Sequence, residues 1–236
     1  MKNILLFGTF IVIISIAFYV YSVSVTYKPS DLAINSLLNE KLDIINENDY
    51  ISFVNKETKK DKGFLIYPGG YVDPVSYSPI CNELALKGYT CIIAKMPLNW
   101  AIFGVNKGEK IIKYFPYITN WYFGGHSLGG PMVSRLVSNI KSVNLKGVFF
   151  LASYSDVNLS ELNLSCISIT GSEDNVLDKT KFEANKNNLP KDCQNYEIKG
   201  GNHSQFGSYG LQKGDNEAKI TFERQLFELV DELDSL

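Results

Sequence analysis

Gly124-Gly125-His126-Ser127-Leu128-Gly129-Gly130 is the stretch on which the reading of this 236-residue sequence turns. It contains the pattern Gly-x-Ser-x-Gly. With glycine and serine each near 7% of residues, roughly one chain in twelve of this length carries that pattern by chance. Its surroundings decide. Upstream, Thr119-Asn120-Trp121-Tyr122-Phe123 is a β-prone run, and downstream residues 132–139 carry helical spacing. A serine on a sharp turn between strand and helix sits in strained backbone that pushes its side chain outward. Glycines two positions to either side let the strand and helix approach closely. The helix also aims its N-terminus, with unpaired N–H groups, at charge developing on the turn.

The same rhythm of short apolar runs and helical segments extends on both sides. Strands are expected over 50–54 (an edge strand), 63–67, 90–95, 119–123, 145–151, 166–170 and 195–198. Helices are expected over 76–86, 107–114, 132–139, 177–188 and 216–236, the first closed by Lys87-Gly88. Residues 27–46 read as a short helical stalk or first layer with Asp31 as N-cap. Alternation of this kind predicts an α/β domain: a mostly parallel central sheet with helices on both faces.

A serine hydroxyl is a poor nucleophile until a base takes its proton. The chain has two histidines. His126 adjoins Ser127 on the turn, where consecutive side chains cannot converge, so it is assigned a supporting role. His203, in Gly200-Gly201-Asn202-His203-Ser204, follows the last expected strand and so belongs at the carboxyl edge of the sheet, where open α/β sheets bind ligands. A third group should orient the imidazole. Asp174 in Gly171-Ser172-Glu173-Asp174 is the choice, with Glu173 and then Asp156 as competitors. The oxyanion donors are expected to be the amides of Leu128 and of Gly70 in Tyr67-Pro68-Gly69-Gly70-Tyr71, with Tyr71 as the alternate; Gly69-Gly70 also reads as an ordinary turn.

These pieces, in the order Ser127, Asp174, His203, resemble the α/β-hydrolase superfamily, and within it the compact, lid-poor group similar to dienelactone hydrolase and small esterases. The resemblance rests on Tyr67-Pro68-Gly69-Gly70, Gly125-His126-Ser127-Leu128-Gly129, Gly171-Ser172-Glu173-Asp174 and Gly201-Asn202-His203-Ser204-Gln205-Phe206-Gly207. It implies an eight-strand-type sheet, a serine nucleophile and hydrolysis through an acyl-enzyme. One departure is that Pro68-Gly69 replaces the usual His-Gly before the oxyanion loop.

Residues 4–25 carry no charge. About 20 such residues span a hydrocarbon core of roughly 30 Å as a helix. Residues 1–26 therefore read as a transmembrane anchor or a signal segment, with Ser22-Val23-Ser24 only vaguely like a cleavage site. Residues 27–236 read as the hydrolase domain, on the extracytoplasmic side of the membrane or secreted. Formal net charge is −2, with 20% charged residues, which excludes an electrostatic case for nucleic acid. Cys81, Cys91, Cys166 and Cys193 form no C-x-x-C pair, so no metal site is expected. Disulfides are permitted, Cys166 with Cys193 being the pair to watch; buried free thiols are the other reading.

The expected function is a serine hydrolase cleaving a carboxylic ester, lactone or thioester, small or surface-presented, without a cofactor. An acyltransferase using the same triad and a non-catalytic envelope binding protein on the same fold are the alternatives. With no long insertion between the strands at 145–151 and 166–170, the site should be open. The Trp100-Ala101-Ile102-Phe103 stretch reads as core before pocket lining.

Overall fold

β-Branched and aromatic runs that end at glycine or proline build a sheet buried on both faces. In the computed structural model, which describes residues 2–140 and 144–236, eight strands form: β1 (Leu42–Asn46), β2 (Tyr50–Asn55), β3 (Lys62–Tyr67), β4 (Thr90–Ala94), β5 (Asn120–His126), β6 (Leu145–Leu151), β7 (Ser165–Gly171) and β8 (Gln194–Ile198). Their order across the sheet is β1-β2-β4-β3-β5-β6-β7-β8. β2 pairs antiparallel with β1 and β4, and all other neighbours are parallel.

The helices are α1 (Lys2–Val25), α2 (Asp31–Asn35), α3 (Ser78–Leu86), α4 (Lys107–Ile111), α5 (Gly129–Asn139), α6 (Lys179–Ala184) and α7 (Phe222–Asp234). Side chains alternate between two cores. Along β3, Phe64 and Ile66 face one layer with Leu84 of α3 and Leu229 of α7. Leu65 and Tyr67 face the other, with Ile111 of α4 and Leu136 of α5. Two buried faces explain why these strands read as continuous apolar runs rather than as alternating ones. Each large side chain so buried contributes roughly 1.5–3 kcal/mol.

Several boundaries differ from the sequence reading. The segment 27–46 is not a helical stalk throughout: Ser30, not Asp31, caps α2, and Leu42–Asn46 is the true edge strand β1, which places β2 inside the sheet. β5 runs on through Gly124 and Gly125 to His126, since both glycines still pair with β6. The helix expected from residue 177 starts at Lys179, where Asp178 caps it, and that expected from residue 216 starts at Phe222, where Thr221 does. Cys166 and Cys193 form a disulfide between β7 and the start of β8, whereas Cys81 and Cys91 are buried free thiols. Among the described residues no helix is long and apolar enough to cross a membrane. The expected anchor falls partly on Met1 and on the side chains of residues 2–6, 8, 9 and 11, which lie outside the described set.

Candidate active site

The sheet order reverses between β3 and β5, one strand leading leftward to β4 and the other rightward to β6. At such a switch point the two carboxyl ends open a crevice. Gly70 follows β3 and Ser127 follows β5, so these two flank it.

Ser127 has φ +50°, in the left-handed region a serine rarely occupies. Its N–H donates to Leu151 O at 3.0 Å, and its carbonyl accepts from Gly130 N at 3.1 Å and from Ser153 Oγ at 2.5 Å. Those bonds over-determine a conformation that costs about 1–3 kcal/mol. Glycine is required at two nearby positions by close approach. A β-carbon at Gly125 would collide with the backbone of Gly129 and Gly130, and one at Gly129 with the carbonyls of Tyr67 and Pro68.

His203 is buried in the loop after β8. Gln225 of α7 clamps that loop, accepting from Asn202 N at 3.1 Å and donating to Asn202 O at 2.9 Å, while Asp215 accepts from Ser204 N at 2.8 Å. The imidazole Nδ1 meets Asp174 Oδ2 at 2.9 Å. Asp174 Oδ1 accepts from the amides of Val176 and Leu177, each at 2.8 Å. Burial works to raise the Asp174 carboxyl, but the His203 hydrogen bond and charge and the two amides together hold it below its ordinary value. An ionised carboxylate only accepts, so Nδ1 carries the proton. Nε2 is left buried without a partner among the described residues.

Ser127 and His203 share the wall of one cavity of about 200 Å³, with Leu128, Ser153, Tyr154 and Leu177. No hydrogen bond joins Ser127 Oγ to the imidazole in this structure, as is common before substrate binds. The competing acids are engaged elsewhere: Glu173 pairs with Lys219 at 2.9 Å and Asp156 with Arg135 at 2.5 Å.

Tyr71 N, the alternate donor for the oxyanion, is spent on Asn99 O at 2.7 Å, and the neighbouring Gly69 N on Tyr77 Oη at 2.8 Å. The amides of Gly70 and Leu128 have no hydrogen-bond partner among the described residues. The Leu128 side chain packs directly over Gly70.

Two partners escaped the sequence reading. Tyr77 Oη lies 2.8 Å from His126 Nδ1 while accepting from Gly69 N, so it ties the residue before the serine to the loop after β3. Complete burial, and then the nearby His203, hold the His126 pKa well below the usual histidine value, which keeps the ring neutral and lets the Tyr77 hydroxyl donate to Nδ1. Ser153 supports the Ser127 carbonyl from the end of β6. Neither belongs to a spaced motif; only the folded sheet brings them to the turn. The Trp100–Phe103 stretch is not core throughout: Ala101 is buried, but Ile102 and Phe103 are exposed.

Residues 63–227 match the model of a family described as the alpha/beta hydrolase family. No curated protein matches the sequence. Among solved structures, a predicted CIB-like hydrolase from Thermoplasma acidophilum superposes with a TM-score of 0.57 at 14% identity, over 83% of this chain and 98% of its own. An alpha/beta hydrolase enzyme from a lagoon-sediment metagenome of Mar Chica, Morocco, gives 0.57 at 16% identity, over 81% and 99%. A thermophilic esterase from the planctomycete Thermogutta terrifontis, solved with butyrate bound, gives 0.54 at 11% identity, over 82% and 93%. At these identities the likeness is one of fold.

Proposed function

The chain belongs to the alpha/beta hydrolase family, and from that premise we propose that it is a serine hydrolase of carboxylic esters, lactones or thioesters. The observation that carries the reading is the Asp174–His203 hydrogen bond, which leaves imidazole Nε2 without a partner among the described residues while His203 lines the same cavity as Ser127. Nε2 takes the Ser127 proton as Oγ attacks the acyl carbon. Charge gathers on the carbonyl oxygen, where the Leu128 and Gly70 amides and the N-terminus of α5 stabilise it. His203 returns the proton to the departing alcohol or thiol, leaving an acyl-Ser127. Water, deprotonated by the same nitrogen, then releases the acid.

No step requires a metal or an organic cofactor. The uncharged run over 4–25 supports attachment to a membrane through α1, with the catalytic domain on the extracytoplasmic side. The disulfide fits an oxidising compartment. The test is turnover of p-nitrophenyl acetate by the purified full chain. Ser127→Ala should lower kcat by about 10⁴-fold or more; a variant that keeps most of the activity would exclude Ser127 as nucleophile.

A further inference from the structure

Aromatic side chains join α1 to the rim of the site. Phe18 of α1 lies 6.2 Å from Trp100 and 6.3 Å from Phe103, ring centre to ring centre. Tyr21 lies 6.3 Å from Tyr71, and Tyr71 stacks on Trp100 at 5.2 Å. The Trp100 indole and the Leu128 side chain both pack on Gly70. One indole ring therefore separates α1 from an amide assigned to the oxyanion. Backbone bonds fix the same junction: Tyr27 N donates to Tyr71 O at 2.8 Å and Asp73 N to Tyr27 O at 3.1 Å, while Asn99 Nδ2 donates to Thr26 Oγ1 at 3.3 Å. A mere tether needs none of these contacts. The helix ends at Val25 and pairing with the site loop begins at Tyr27, so no flexible linker intervenes.

Near the same junction Ser22 of α1 is buried, but several large apolar side chains of the helix are not. Phe7, Phe10, Ile13, Ile16, Tyr19 and Val20 are each more than half exposed. At 100° per residue their positions cover roughly 240° of the circumference, far more than one stripe, and leave free only the side that carries Phe18 and the buried Ser22. A stripe suits a protein partner; an apolar surface this broad, on every side but the one turned to the domain, suits hydrocarbon. In the 100–103 loop Ile102 (44% exposed) and Phe103 (50%) stand out, and the Phe103 ring lies 5.6 Å from Trp100 and 6.3 Å from Phe18 of the helix. Tyrosine and tryptophan at such a level match the membrane–water interface, where their rings sit with a wet and a dry side.

We propose that α1 and the 100–103 loop seat the mouth of the site against a lipid bilayer, and that the substrate is an ester resident in that bilayer. The claim rests on the serine-hydrolase reading and names its substrate class. The cavity of about 200 Å³ takes a short acyl group, while the long alcohol portion stays in the lipid. Hydrolysis breaks the acyl C–O bond; water gives its hydroxyl to the acyl carbon and its proton to the alcohol, which remains in the membrane.

Tryptophan fluorescence of the full chain in phosphatidylcholine vesicles tests the docking directly. The two tryptophans lie at opposite edges of the sheet, Trp100 at the rim and Trp121 buried near the amino end of β5. Lipids brominated near the headgroup should remove at least about a third of the emission, a loss that disappears in Trp100→Phe, because only an interfacial indole reaches those bromines. Equal emission from brominated and plain vesicles would overturn the proposal. A second readout is the ratio of turnover on a vesicle-resident long-chain alkyl acetate to turnover on dissolved p-nitrophenyl acetate. Phe103→Glu should lower that ratio about tenfold by putting a charge at the docking face; an unchanged ratio would count against it. Fluorophosphonate labelling of every variant reports the site separately. Failure of the wild type to label would overturn the hydrolase reading while leaving the quenching result intact.

Discussion

Asp174 is 3% exposed, and its charge survives burial because both carboxylate oxygens are spent on donors. Its folded-state pKa lies below the ordinary 3.8, so the stability it contributes is fully present above that value and is lost as pH falls through the lowered one. Asp174→Asn should therefore destabilise the protein at pH 7 and by less at pH 3, as read from urea midpoints. An equal loss at both pH values would show that its charge does not matter to folding. On activity the same change should lower kcat by about 10³–10⁴-fold, because an amide no longer fixes the proton on His203 Nδ1. Glu173→Gln and Asp156→Asn break exposed or half-exposed ion pairs and should change kcat by no more than about twofold. A collapse of activity in either would move the acid away from residue 174.

At the level of elements, the disulfide between Cys166 and Cys193 closes a loop with a sequence separation of 27. Replacing both cysteines by serine should cost ~3 kcal/mol of stability, measured by denaturation without reductant; a change near zero would mean that β7 and β8 hold their register without it. What the sequence made legible follows from burial. Strands β3 to β7 are covered on both faces, and their apolar runs announced them. β1 was missed because Leu42-Asp43-Ile44-Ile45-Asn46 is an edge with only Leu42 buried, so its pattern is half polar and short. The start of α7 was placed too early because residues 216–220 look helical in composition. They are spent holding the His203 loop instead, Asn216 O accepting from Asn202 Nδ2 and Lys219 N donating to Gly200 O. The serine, acid and histidine proposed for the site could be nominated from the sequence because each follows a strand. Tyr77 and Ser153 could not, since their contacts cross the sheet between segments with no shared spacing.

Over the whole molecule, the site is set by what the chain omits as much as by what it contains. Only residues 152–164 separate β6 from β7, leaving no room for a cap, and the cavity beside Ser127 holds about 200 Å³. Among p-nitrophenyl esters, kcat/KM should fall at least about tenfold from acetate to dodecanoate, since a small pocket cannot bury the longer acyl chain. A maximum at the long end would contradict that geometry. Everything else depends on residues 127, 174 and 203 acting as one unit. Reaction of the full chain with a fluorophosphonate, followed by peptide mass mapping, tests this most directly. The account predicts a single adduct on Ser127 that forms far more slowly in His203→Ala; an adduct on another residue, or undiminished labelling in the histidine variant, would contradict it.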